Sequence, residues 1–217
     1  MTIANRIEEL TATLTATAAT CMPPESRSVY RTLVLLLAKG APVSVEDVAR
    51  AMGIAREDAM QALSRTPSLE WDEAGMIVGA GLTLRRTPYR FRMEGCTLFT
   101  WCALDTLIFP SVIGQKAEVE SACAATGTPV RVTVTPEGVK TFEPREAVIS
   151  CFAGAASGDV RRVFCQYSQF FQSAESAAGW LAAHPGGTTL TVPEAYKLGR
   201  LLTESFLERS GQVRRES

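Results

Sequence analysis

Trp101-Cys102-Ala103-Leu104-Asp105-Thr106-Leu107-Ile108-Phe109-Pro110 is an apolar run interrupted by one thiol and one carboxylate. It reads as a helix over 101–108, capped by Thr100 and ended or kinked by Pro110, which has no N–H to donate. Cys102 and Asp105 then stand at i and i+3 on one face, with Cβ atoms about 5–6 Å apart. A thiol in a first helical turn also feels the positive end of the helix dipole, which favours thiolate. Spacing alone favours a plainer reading, a structural cysteine in the core with an acid facing solvent. Free cysteine is often a core residue, and C-x-x-D is a weak pattern.

The chain has six cysteines and a single histidine, His184. One histidine is poor equipment for zinc-bound water, whereas thiols with a nearby acid suit a soft metal and a proton. Cys21, Cys96, Cys102, Cys123, Cys151 and Cys165 form no C-x-x-C pair and no regular framework. That argues against a disulfide scaffold or a zinc ribbon and predicts reduced thiols in a cytoplasm. Cys165, in Val163-Phe164-Cys165-Gln166-Tyr167, reads as a strand residue, and Cys123 as core packing at a strand end. Cys21, Cys96 and Cys151 carry no signal. His184, beside Pro185-Gly186-Gly187, reads as an exposed loop residue with no G-x-S-x-G elbow to serve.

Outward from this stretch, 217 residues with 46% hydrophobic and 21% charged content are ordinary globular values, enough for one or two domains. A net charge of −1 argues against a general attraction to nucleic acid or anionic membrane. Ala18-Ala19-Thr20-Cys21 faintly resembles a lipoprotein cleavage site, but no apolar stretch precedes it. The aliphatic run Leu33–Ala38 is far too short to span a bilayer. The expectation is a soluble, cytoplasmic protein.

Upstream, residues 1–40 read as two helices split at Pro23-Pro24, the first with Ile3, Ile7 and Leu10 at helical spacing and the second ended by Gly40. Ser44 caps a third helix whose apolar face holds Val48, Ala49 and Met52. Gly53-Ile54 turns into a fourth helix, Arg56–Leu63. Strands are predicted over Met76–Leu84 and Tyr89–Met93, after a turn at Asp72–Gly75. Together these make a winged-helix-like N-terminal module over 1–80. Between residues 41 and 70, Arg50, Arg56 and Arg65 are outnumbered by Glu46, Asp47, Glu57, Asp58 and Glu70. A helix pressed into phosphates needs the opposite balance, so packing or lid duty is the expected role.

Downstream, Lys116–Ala122 and Val130–Val134 alternate polar and apolar residues as half-buried antiparallel strands, with a turn at Gly127-Thr128-Pro129. Further strands are expected over Ala147–Phe152 and Val160–Tyr167. Ser173 caps a helix to about Ala183, and a last helix from Pro193 buries Tyr196, Leu198, Leu201, Leu202 and Phe206. From Ser210 on, with Arg214 and Arg215, the tail is expected to fray. The fold class is α+β: the helical module, then a mostly antiparallel β core with flanking helices over 81–217.

Three separated blocks resemble the organomercurial (alkylmercury) lyase family. They are the run 101–110; Cys123-Ala124-Ala125-Thr126-Gly127 followed by Pro129-Val130; and Asp159-Val160-Arg161 leading to Phe164-Cys165 and Phe170-Phe171. Gly79-Ala80-Gly81-Leu82-Thr83-Leu84 is compatible but weaker. The resemblance implies protonolysis of a carbon–mercury bond to a hydrocarbon and Hg(II). Its two catalytic cysteines and aspartate fall on Cys102, Cys165 and Asp105, and its structural cysteine on Cys123. One departure, Gln166-Tyr167-Ser168-Gln169 where many relatives carry a histidine-containing stretch, concerns the pocket wall and none of the reacting groups.

Such chemistry is physically reasonable. Mercury is soft, so thiolates outcompete carboxylate and imidazole for it, and a second thiolate makes the bound carbon more basic. Asp105, near Trp101 and Leu104, gains proton affinity by desolvation and is the candidate proton carrier. Mercury is substrate; the resemblance implies no resident cofactor, an external thiol to remove Hg(II), and hand-over to mercuric reductase. Two other functions fit the same residues: a thiol-based mercury sensor using its N-terminal module on DNA, and a non-catalytic metal carrier.

Overall fold

The computed structural model describes residues 3–22, 24–152 and 160–204. Asp159, Phe206, Ser210, Arg214 and Arg215 lie outside the described residues, as does the packing of Ile3. Four helices come first: α1 (Ile3–Cys21), α2 (Pro24–Leu37), α3 (Val45–Met52) and α4 (Arg56–Ser64). At α3 the capping box is complete. Ser44 Oγ accepts from the Asp47 amide at 3.1 Å, and the Ser44 amide donates to Asp47 Oδ2 at 3.1 Å. Gly53, at φ 66°, closes α3 in the left-handed conformation. Helix α2 ends at Leu37, short of Gly40, because Ala38 and Lys39 continue as a looser turn.

The strands are β1 (Glu70–Trp71), β2 (Ile77–Ala80), β3 (Leu82–Thr83), β4 (Tyr89–Met93) and β5 (Cys96–Thr100), followed by helix α5 (Ala103–Ile113). Then come β6 (Ala117–Ala122), β7 (Pro129–Thr135), β8 (Gly138–Glu143) and β9 (Val148–Cys151). Met76–Leu84 is therefore not one strand. Gly81, at φ +74°, folds it back so that Gly79 pairs with Thr83. A Cβ at Gly81 would stand 2.1 Å from Tyr30 Oη and 2.7 Å from Phe109 Cζ, so the turn is pressed against α2 and α5. An almost unbroken apolar run hides such a turn, because both short strands are buried on both faces.

The eight-stranded sheet runs β1-β2-β3-β5-β4-β6-β7-β8, every pair antiparallel. Val130, Val132 and Val134 of β7 point into the core as their alternation predicts. On the outer face Arg90 and Arg92 of β4 pair across the register with Glu120 and Glu118 of β6. Helix α5 packs on the inner face against β4, β5 and β7.

After β9 come α6 (Val160–Val163), a 3₁₀ turn at Cys165–Tyr167, β10 (Phe170–Phe171), α7 (Ala178–Ala183), β11 (Thr188–Thr191) and α8 (Val192–Thr203). A three-stranded antiparallel sheet has the order β10-β9-β11. The expected strand over 160–167 is thus a short helix and a tight turn, so Cys165 is not a strand residue. Ser173 organises a turn with Ser176 rather than capping α7, which starts at Ala178. Thr191 and Glu194 form a second capping box at α8, which packs on α5 and α1. His184 is half-buried, its ring stacked on Trp180 at 4.4 Å and edge-on to Tyr167 and Phe152, rather than exposed. No described helix is long and apolar enough to cross a membrane.

Candidate active site

Helix α5 is apolar nearly all round, and eight of its residues from Ala103 to Val112, Asp105 among them, are buried. Its cap is Cys102, not Thr100. Thr100 closes β5, and its hydroxyl donates to the Cys102 carbonyl at 2.8 Å. Pro110 neither ends nor breaks the helix at its own position, since α5 continues to Ile113 before Gly114 closes it.

Cys102 makes no side-chain cap bond, so the first amides of α5 need another acceptor. Ser168 supplies it: its carbonyl accepts from the Ala103 amide and its Oγ from the Leu104 amide, both at 3.1 Å. The Ser168 amide in turn donates to the Cys165 carbonyl at 3.1 Å. One residue thereby fixes the Cys165 turn onto the helix start that carries Cys102 and Asp105. Tyr89 adds a hydroxyl bond to the same Ser168 carbonyl at 3.2 Å.

The result is a buried cluster. One ligand atom each from Cys102, Asp105 and Cys165 lies within 4.8 Å of the other two, the one such group among the described residues. Cys165 Sγ lies 3.9 Å from Asp105 Oδ2. Burial is the largest effect on Asp105 and Cys102. It lifts the Asp105 carboxyl to about 7, against the lowering effect of hydrogen bonds with Cys102, the Arg161 charge and Cys165. Burial also raises Cys102, so the expected thiolate-favouring dipole does not prevail. Hydrogen bonding with Cys102, then burial, holds Cys165 well above the usual thiol range. The acid facing solvent that spacing alone favoured is not what folds: Asp105 is buried.

A cavity of about 110 Å³ opens onto the cluster, with Asp105 and Cys165 in its wall beside Leu14, Tyr30, Phe109 and Phe164. Fully buried Cys102 does not reach its surface. Cys123 stands apart, directly after β6, packed with Val148, Phe171 and Ala177. Burial pushes its thiol up, but bonds from Thr126 and the amides of Gln172 and Ala125 outweigh this and leave it at about 7. Cys21 also lines the cavity, Cys96 contacts the Ala38 carbonyl at 3.5 Å, and Cys151 lies in the core on β9. Sequence reasoning missed Ser168, Tyr89 and Tyr30. Their partners are distant in sequence and no local pattern marks them.

Two family models match the chain, that of alkylmercury lyase over residues 82–204 and that of the helix-turn-helix domain of alkylmercury lyase over 7–81. Among curated relatives, the alkylmercury lyase of Streptomyces lividans is 47% identical over 82% of this chain and 83% of its own. That of Pseudomonas putida is 43% identical over 87% and 89%, and that of Bacillus cereus 42% over 83% of each. The crystal structure of the mercury-bound form of MerB2 superposes with a TM-score of 0.77 at 26% identity, over 92% of this chain and 99% of that one. Agreement of this depth along nearly the whole described chain makes it a member of the alkylmercury lyase family, enzymes that cleave carbon–mercury bonds.

Proposed function

We propose that Cys102, Asp105 and Cys165 carry the carbon–mercury cleavage of this lyase, and the observation that supports this is their joint burial within 4.8 Å. The organomercurial R–Hg–X enters the apolar cavity. One cysteine sulfur displaces X and bonds mercury, and its proton leaves with X. The second cysteine passes its proton to Asp105 and adds as thiolate, which weakens the Hg–C bond. The bond's electron pair then takes the proton from Asp105, giving R–H and a bis-thiolate Hg(II). Mercury stays divalent throughout, so no redox partner is needed. An acid near 7 suits the shuttle, since it can both accept and give up a proton at neutral pH.

No resident cofactor takes part in this scheme. Two external small thiols displace Hg(II) and re-protonate the cysteines, and mercuric reductase is the receiving enzyme in a cytoplasmic setting. The N-terminal module over 1–80 acts by packing on the catalytic core over 81–217 rather than on nucleic acid. In support, the exposed Arg50 and Arg56 are already paired with Asp47 and Glu46.

The test is benzene or methane release from phenylmercury or methylmercury by purified protein in excess small thiol, with Cys102→Ser alongside. Many turnovers, lost in the variant, are expected. Tight mercury binding without hydrocarbon would sink the scheme in favour of a carrier or sensor.

A further inference from the structure

Three side chains from separate segments meet beside the sulfur–carboxyl cluster. Glu70 opens β1 with its side chain 9% exposed, and its Oε1 meets Arg161 Nη1 at 2.5 Å. Its Oε2 accepts from Thr83 Oγ1 at 2.5 Å. Across the hairpin Glu70 pairs with Gly79, where a Cβ would stand 2.2 Å from that same Oε2. The missing side chain at 79 is what lets the carboxylate lie over the hairpin and reach Arg161. The guanidinium then rests on Trp101, with Cζ 4.8 Å from the ring centre. Trp101 is only 6% exposed, yet its indole Nε1 has no hydrogen-bond partner among the described residues. Its polar edge makes no bond among the described residues, and the guanidinium lies on the face of a ring otherwise packed in the core. Trp101 is bonded directly to Cys102.

We propose that Arg161 is a positioning residue for the cleavage, clamped by Glu70 onto Trp101 so that Cys102 keeps its place and a fixed positive charge stands beside the cluster. The inference rests on Cys102, Asp105 and Cys165 being the reacting groups. The chemistry calls for such a charge. An organomercury bis-thiolate is anionic, it forms next to a carboxyl group, and its surroundings are apolar. Arginine keeps its proton at any working pH, and its flat guanidinium can stack and donate at once. Arg161 already lowers the proton affinity of both Asp105 and Cys165.

The experiment compares Arg161→Met, Arg161→Lys, Glu70→Gln and Gly79→Ala with the parent enzyme in phenylmercury turnover, with Cys102→Ser as the reference. Arg161→Met is expected to lower kcat about tenfold to a hundredfold while KM stays within about threefold. Arg161→Lys, which restores charge without the flat stack, is expected to recover roughly half of that loss on a logarithmic scale. Glu70→Gln is expected to cost about threefold alone and nothing more on top of Arg161→Met, since the pair acts as a unit. A kcat within about twofold of the parent in Arg161→Met, with Cys102→Ser inactive, overturns the role of Arg161 alone. Turnover by Cys102→Ser overturns the underlying assignment of reacting groups instead. A loss that Lys does not recover, and that runs in step with lost phenylmercury capture, marks a merely structural residue and also overturns the proposal. Should Arg161→Met fail to fold, Glu70→Gln and Gly79→Ala decide: both must lower kcat, and unchanged values reject it.

Discussion

Cys165 Sγ stands 3.9 Å from Asp105 Oδ2, although sixty positions of chain separate them. Both belong to short elements, a 3₁₀ turn and the first turn of α5, and neither element could hold that distance alone. Ser168 joins them by accepting two amides of the helix and donating back to the turn.

Asp105→Asn should lower the rate of hydrocarbon release about a hundredfold or more while leaving phenylmercury capture intact, the loss usual for a missing general acid. Rapid-quench measurement of benzene, with thiol titration for capture, checks this; unchanged turnover would remove Asp105 from the scheme.

The same variant should be more stable than the parent at pH 8. In the unfolded chain an aspartate titrates near 4, and in the fold Asp105 titrates at about 7. The native state therefore retains a proton that the unfolded state has lost. Its stability declines as pH rises from about 4 to about 7, by up to about 4 kcal/mol, and stays reduced above that. Asparagine never ionises, so the melting-temperature gap between variant and parent should open with rising pH and vanish near pH 4. A gap that does not change with pH would contradict the raised carboxyl.

Ser168→Ala removes the acceptor for the Leu104 amide, at a cost of about 1–3 kcal/mol for a buried unpaired donor. It should also lower kcat by loosening Cys165 from Asp105. Denaturant melts and turnover assays read the two effects separately, and full activity would show that the remaining carbonyl bond suffices.

Gly81→Ala forces a Cβ to within 2.1 Å of Tyr30 Oη at a left-handed φ of +74°. A loss of about 2–4 kcal/mol is expected from the combined backbone and steric strain. A midpoint shift in urea, without a change in slope, is the measurement.

Leu14→Phe crowds a cavity of about 110 Å³. Phenylmercury should lose about tenfold in kcat/KM and methylmercury far less, as a pocket discriminates by volume. Equal losses for both would place the organic group elsewhere.

Local chemistry was readable where one short segment determines its own shape. Ser44 announces the start of α3, and Val130, Val132 and Val134 announce a strand facing a core. The grouping of Cys102, Asp105 and Cys165 was reached through family resemblance, since C-x-x-D by itself favoured a solvated acid. What stayed hidden depends on contacts between distant segments. Cys102 caps α5 because the acceptors for its amides sit on Ser168, and Cys165 lies on a turn that its apolar neighbours disguise as a strand. Glu70 and Arg161, ninety-one positions apart, carry no mutual signal at all.

The depth of Cys102 has a consequence for the sequence of departures. Asp105 and Cys165 border the cavity, and Cys102 lies where the cavity does not reach. On the proposed chemistry the organic fragment occupies the corridor between the metal and the opening. The hydrocarbon must therefore clear out before an incoming thiol can touch the sulfur-held ion. On this scheme both leave by the same cavity, and the metal that leads the way in is the last to leave.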